Sequence, residues 1–462
     1  MDEIGCRIHV LAIPYPLQGH LNPMLQLCKR LTSKGVRITL VTITSARISV
    51  QNQFESIQIE YILDDENIEA EGSNDSEKGA AHFKRIQIAV SDNLAKLVEE
   101  KASSGHPVNI VLYDSMMPWI LEIVQGQLGL KGAAFFTQAC AVSAIYNHIH
   151  RGTLKVPLET STILLPSMPQ LESNDLPSFV YNPGPYPGVL DLVLGQNINL
   201  EKSDWLLFNS FDKLENEVVT WLTERYPIKT IGPSTPSMYT DKRLKDDKDY
   251  TVNFFTPDSG ACLKWLDTKE TGSVVYVSFG SMSDLGENQM QEIACGLMNC
   301  TCNFLWVVRP SEESKIPRDF MFESQERGLI VNWCPQPKVL SHRAVGCFMT
   351  HCGWNSTIEA LSLGVPMVTM PVWADQTTNS KYIVDVWKVG LRVKGSEERE
   401  MVTREEVERT IREVMHGEKT SELRSNALRW KELAKEANSE GGSSDKNIEE
   451  FVSSVESTHS LS

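Results

Sequence analysis

The chain has 462 residues, 41% hydrophobic and 23% charged, with a formal net charge of −16. That length predicts two or three domains, and that composition excludes a disordered chain. The acidic balance argues against nucleic-acid binding through a basic surface. An anionic ligand would have to be drawn in by local dipoles, within a screening length of about 8 Å.

The opening residues, Met1-Asp2-Glu3-Ile4-Gly5-Cys6-Arg7, show no basic segment followed by an apolar one. No apolar run reaches the roughly 18 residues of a membrane span. We therefore expect a cytoplasmic protein with no stable membrane insertion. The ten cysteines are scattered, and no second pair follows Cys300 and Cys302 at zinc spacing, so reduced thiols are expected.

In chain order, Arg7 to Pro14 predicts a buried strand around Ile8-His9-Val10-Leu11-Ala12-Ile13. Gln18-Gly19-His20 and Asn22-Pro23 come next, then a helical pattern over 24–31 whose first turn Pro23 suits, and a strand over 36–41. This βαβ unit predicts a parallel sheet. Residues 64–80, acidic and polar, predict a loop. Further strands are expected at 109–113, 132–136 and 205–209. A second series has strands at 273–279, 303–309, 328–331, 345–350 and 366–370, and helices at 287–298, 357–363 and 403–415. Each half predicts a doubly wound α/β domain. Residues 233–259 are rich in Pro, Ser, Asp and Lys, and we place the first domain at 1–240, a linker at 241–259 and the second domain at 260–446. Residues 447–462 form a helix that returns to the first domain, with 447–455 amphipathic.

Neither half contains G-x-G-x-x-G, a Walker A loop or G-x-S-x-G, which weighs against a nicotinamide oxidoreductase, an ATPase or a hydrolase. Asp247-Lys248-Asp249 could hold a divalent metal, but within its charge run it reads as a solvated loop.

The densest chemistry lies between Trp333 and Gln376. Trp333-Cys334-Pro335-Gln336 opens it, His351-Cys352-Gly353-Trp354-Asn355-Ser356-Thr357 with Glu359 forms its centre, and Pro371-Val372-Trp373-Ala374-Asp375-Gln376 closes it. The centre follows a strand and starts a helix, whose free N–H groups suit a diphosphate without a metal. An ordinary capped helix start is the competing explanation. His20 and Asp114 each follow an apolar strand, at the carboxyl edge where α/β active sites gather. A histidine there can act as a base, with the aspartate fixing its tautomer, although a surface-loop histidine has the same local sequence.

The span 333–376 resembles the signature of the plant secondary-product glycosyltransferases, family-1 UDP-glycosyltransferases of the GT-B fold. The similarity runs through almost the whole chain, including Gly19-His20, Tyr113-Asp114, Ser278-Phe279-Gly280-Ser281 and Glu440-Gly441-Gly442-Ser443-Ser444. Phe136-Thr137-Gln138 and Thr230-Ile231-Gly232-Pro233 resemble a branch that acts on phenolic acids, thiohydroximates, steroids and triterpenoids.

The resemblance implies an α/β GT-B architecture, two doubly wound Rossmann-like domains facing a cleft. The first would bind the acceptor and the second UDP-glucose, as a monomer needing no cofactor or metal. It assigns His20 and Asp114 as the catalytic pair. Trp333 would stack on uracil, Gln336 would lie beside the ribose and Glu359 would bind its hydroxyls. Ser281, His351, Asn355 and Ser356 would hold the diphosphate, and Trp354, Asp375 and Gln376 the sugar. Cys334 and Gly353 complete the donor set. Tyr15, Leu17, Met116, Tyr146, Phe179, Met282 and Trp373 are expected around the acceptor. Several relatives have Ser or Thr where this chain has Leu17, which favours a bulky apolar alcohol over a carboxylic acid. A glucosyl ester former and a non-catalytic UDP-sugar or small-molecule binder remain as alternatives.

Overall fold

The computed structural model describes residues 8–43, 57–63, 75–185, 188–245, 247–248, 250, 259–395 and 401–459. The chain forms two compact units. Unit 1 is Met1–Ser173, Phe179–Phe254 and Glu436–Ser462, and unit 2 is Asn174–Ser178 and Phe255–Lys435.

Unit 1 is built on seven strands: β1 (His9–Ile13), β2 (Arg37–Ile43), β3 (Ile57–Ile62), β4 (Ile110–Asp114), β5 (Lys131–Phe136), β8 (Trp205–Phe208) and β9 (Ile228–Thr230). They run in the order β3-β2-β1-β4-β5-β8-β9, with every pair parallel. A small antiparallel pair, β6 (Thr162–Ile163) and β7 (Leu171–Glu172), stands apart. All five residues of β1 and of β4 are buried, as in a parallel sheet covered on both faces. The order reverses between β1 and β4, and a ligand crevice forms outside the carboxyl ends at such a switch point.

Unit 2 repeats the plan with six strands: β10 (Val274–Ser278), β11 (Asn303–Val307), β12 (Gly328–Val331), β13 (Val345–Thr350), β14 (Met367–Thr369) and β15 (Gly390–Arg392). Their order is β12-β11-β10-β13-β14-β15, also all parallel, with its switch point between β10 and β13.

Several expectations shift. The helix after β1 starts at Gln18, so His20 sits in its first turn and Pro23 inside the helix. Proline fixes a helical φ but donates nothing to the carbonyl four residues before it. Of the expected loop 64–80, residues 64–74 lie outside the described residues, and a helix, Asp75–Ser103, begins immediately after them.

The return to unit 1 begins at Glu436, ahead of residue 447. Polar side chains account for this early return: Asn438 donates to the Pro233 carbonyl at 3.0 Å, Ser444 to that of Gly232 at 2.5 Å, and Asn447 to that of Thr230 at 2.8 Å. The helix Ser443–His459 then buries Ile448, Phe451 and Val455 in the core of unit 1.

Asp247 is neither a solvated loop residue nor arranged for a metal. It is 5% exposed, pairs with Lys29 at 2.6 Å and accepts the Ser237 N–H at 2.6 Å. Asp249 lies outside the described residues. Among the described residues, no helix is long and apolar enough to cross a membrane.

Candidate active site

In unit 2 the loops after β10 and β13 meet at the switch point. The helix Trp354–Leu363 has Gly353 as its N-cap, with no side-chain cap bond, and a helix start carries the positive end of the helix dipole, which suits an anion. Gly364 ends the helix in the left-handed region at φ 74°.

His351 lies between the two loops. A Cβ placed on Gly280 would fall 2.6 Å from its Nε2, and one on Gly353 2.5 Å. Both positions therefore exclude any side chain, and Gly280 also has φ +75°. Burial holds the His351 imidazole down to about 4, helped by the Arg309 charge and opposed by a hydrogen bond to the Ser278 backbone. Ser281 follows in the loop after β10, and its carbonyl accepts from Arg309 at 2.6 Å.

That imidazole makes stability pH-dependent. The unfolded chain binds a proton near pH 6.5 and the folded chain only near pH 4. Between those values the unfolded state holds more protons, so stability present above pH 6.5 is lost as pH falls, by on the order of 3 kcal/mol. Buried His9 and His148, also lowered, act in the same direction. Urea denaturation from pH 7 to pH 4 is expected to show a shallower loss for His351→Gln than for the parent, and equal slopes would contradict this account.

A second cluster lies beside this one. Gln336 Nε2 donates to Glu359 at 2.8 Å and to the Ser356 hydroxyl at 3.0 Å, while its oxygen accepts from Tyr276 at 3.1 Å. Cys334 is buried beneath it, 3.3 Å from the Tyr276 hydroxyl, and burial pushes its thiol well up. It is thus a packing residue rather than a reactive thiol. Trp333 is part-exposed, and the Trp354 indole is buried 6.2 Å from the ring of Trp387, leaving its backbone at the helix start.

In the loop after β14, Asp375 accepts from Asn379 at 2.8 Å, and the same amide donates to the Cys352 carbonyl at 2.9 Å. Gln376 Oε1 takes the N–H groups of Val372 and Trp373 at 2.9 and 3.0 Å.

Unit 1 holds the other constellation. His20 Nδ1 is 2.8 Å from Asp114 Oδ2, and Asp114 is fully buried at the last position of β4. The other carboxylate oxygen accepts the Met116 N–H at 3.0 Å. A carboxylate only accepts, so the shared proton sits on Nδ1 and Nε2 carries the lone pair. Thr137, just past β5, places its hydroxyl 3.0 Å from the same Nδ1.

Tyr15 meets the imidazole edge-on at 5.5 Å, and an aromatic series continues through Phe83 to Trp119. Burial pushes the Tyr15 phenol up to about 12, with the Asp114 charge adding to it, so it stays neutral beside the base.

Comparisons with known proteins agree over the full length. A family model described as "UDP-glucoronosyl and UDP-glucosyl transferase" matches residues 255–437, and one for a glycosyltransferase N-terminal domain matches 7–184. Mogroside I-E synthase of Siraitia grosvenorii is 47% identical over 454 residues, covering 97% of this chain and 99% of that protein. UDP-glucosyltransferase 74AE2 of Panax ginseng is 48% identical, covering 98% and 99%. The chain belongs to the plant family-1 UDP-glycosyltransferases.

Among solved structures, Os79 of O. sativa in complex with UDP superposes with a TM-score of 0.87 at 37% identity, covering 96% of this chain and all of that one. This UDP-glycosyltransferase thus has the GT-B fold, with two Rossmann-like units, and it is an enzyme that binds a UDP-sugar.

Of the residues singled out around the acceptor, Tyr15 touches the His20 ring, Leu17 is the N-cap of the helix that carries His20, and Met116 bonds Asp114 through its N–H. Tyr146 and Phe179 are buried in unit 1, whereas Met282 and Trp373 belong to unit 2. Thr137, Phe83, Tyr276, Asn379 and Arg309 were not expected at either constellation. For Thr137 a signal existed, since it follows β5 as Asp114 ends β4.

Proposed function

We propose that this glycosyltransferase transfers glucose from UDP-glucose, with inversion, to a hydroxyl group of a lipophilic steroid, triterpenoid or phenolic, giving a β-glucoside. The observation that carries this reading is the His20–Asp114 pair, because a base held in one tautomer by a buried carboxylate is what a weakly acidic hydroxyl requires. His20 Nε2 takes the hydroxyl proton as the acceptor oxygen attacks the anomeric carbon and the bond to UDP breaks. Asp114 stabilises the imidazolium. Its two oxygens are committed to His20 and to the Met116 N–H, so it does not serve as a nucleophile, and a single displacement inverts the centre.

The departing diphosphate is received by the helix start at Gly353–Ser356 with Ser281, His351 and Asn355, whose N–H groups supply positive charge without a metal. Trp333 stacks on the base, and Glu359, oriented by Gln336, binds the ribose hydroxyls. Asp375, Gln376 and the Trp354 backbone hold the hexose. With its oxygen bound to the loop, Gln376 presents its amide nitrogen.

The acceptor side of the proposal rests on Leu17, which brings no hydroxyl to the base, and on the rings of Tyr15, Phe83 and Trp119. An apolar wall favours a large apolar skeleton, and a carboxylate there would lose its hydration. Structural relatives hold comparable guests: Os79 has been solved with a trichothecene, and Phytolacca americana UGT2, 27% identical, with pterostilbene.

The test is kcat/KM for a steroid alcohol, a triterpenoid alcohol, a flavonol and salicylate under one set of conditions. One of the alcohols or the flavonol is expected to lead. Salicylate ahead by about tenfold or more would replace the reading with ester formation.

A further inference from the structure

The segment Asn174–Ser178 comes from the first half of the sequence but belongs to unit 2. It is bonded almost residue by residue to the loop after β14 and to the helix that follows, Gln376–Lys381. The Asp175 carbonyl accepts from the Thr378 hydroxyl at 2.7 Å and that of Leu176 from the Thr377 hydroxyl at 2.6 Å. The Asp175 carboxylate lies 3.1 Å from Arg392, in β15, and 3.3 Å from Lys381.

Ser178 makes the tightest connection. Its N–H donates to the Ala374 carbonyl at 2.8 Å, and its hydroxyl oxygen accepts the Ala374 N–H at 2.8 Å. Ala374 has φ +58°, a left-handed conformation that alanine avoids and that persists only where neighbours impose it. Both polar backbone atoms of this strained residue are therefore tied to Ser178. The next two residues are Asp375 and Gln376.

We propose that Asp175 and Ser178 are positioning residues for hexose recognition. Ser178 imposes the Ala374 conformation that sets the direction of Asp375 and Gln376, and Asp175 anchors the strap through Arg392 and Lys381. This inference rests on the reading of Asp375 and Gln376 as the hexose contacts. A strap that only stabilised unit 2 would affect UDP and UDP-glucose alike. One that aims the hexose pair affects UDP-glucose alone, because UDP lacks the sugar.

The experiment uses the full-length enzyme with Ser178→Ala, Asp175→Asn and Gln376→Ala, measuring kcat, KM for UDP-glucose and Kd for UDP. Ser178→Ala and Asp175→Asn are expected to raise KM for UDP-glucose about fivefold to tenfold while Kd for UDP stays within about twofold, the scale of losing one buried hydrogen bond. Adding Ala374→Gly to Ser178→Ala is expected to recover part of the loss, since glycine adopts a positive φ without the clamp. Asp175→Asn carries the test should Ser178→Ala fold poorly.

An unchanged KM in the two strap variants, or equal weakening of UDP and UDP-glucose, overturns the inference. If Gln376→Ala shifts UDP-glucose against UDP and the strap variants do not, the strap fails and the hexose reading stands. If Gln376→Ala shifts neither, the hexose reading fails and the strap falls with it.

Discussion

Replacing His20 with alanine is expected to lower kcat for an alcohol acceptor by about 10²- to 10⁴-fold, the usual worth of a positioned general base. Among the described residues, neither titratable neighbour of the ring can substitute. Asp114, at 2.8 Å from the ring, is fully buried, and Tyr15 keeps its proton to about pH 12. UDP affinity is expected to change little, because the proposed nucleotide contacts all lie in unit 2 while His20 lies in unit 1. Steady-state kinetics with calorimetry on the same preparation makes the comparison. Near-normal turnover with an alcohol would remove His20 from the chemistry. A strongly acidic phenol is expected to lose less, since it ionises without help.

The second large effect is expected from Gly353→Ala. The backbone there, φ −58° and ψ 143°, suits alanine, so any loss comes from space rather than strain. The new methyl would fall 2.5 Å from His351 Nε2, against a ring that is itself buried. Either the ring or the helix start must shift, and overpacking of this kind corresponds to roughly tenfold to a hundredfold in UDP affinity and kcat/KM. Gly260→Ala is the control, because nothing lies within 4 Å of a Cβ there, and it is expected to behave as the parent. Normal UDP affinity in Gly353→Ala would place the diphosphate away from this helix start.

The central strands were legible because both faces are covered, so their sequences are continuous apolar runs: β1, β4, β10 and β13 all stand out by eye. Three strands of the two large sheets escaped, and all lie at sheet edges: β3, β9 and β15; the two-residue strands β6 and β7 of the small antiparallel pair escaped as well. β3 carries Gln58, Glu60 and an exposed Tyr61 among its apolar residues, while β9 and β15 have three residues each and show no period.

His20 and Asp114 were visible because each sits at the carboxyl edge of such an apolar run. Tyr276 lies in the apolar run 273–279, and only folding brings its hydroxyl to Gln336, 60 residues away. Ser178 and Ala374 are separated by 196 residues and show nothing local that links them. Arg309, two residues past β11, gave no sign that it would hold the Ser281 carbonyl.

The most direct measurement is the stoichiometry and anomeric configuration of the product made from UDP-α-D-glucose and a lipophilic alcohol, followed by UDP release and by proton NMR of the isolated glycoside. The account predicts one UDP released per glucose transferred and a β-linked glucoside, formed in the parent enzyme and lost in His20→Ala. An α-linked product, or UDP release with free glucose and no glycoside, would contradict a single displacement driven by the His20–Asp114 pair.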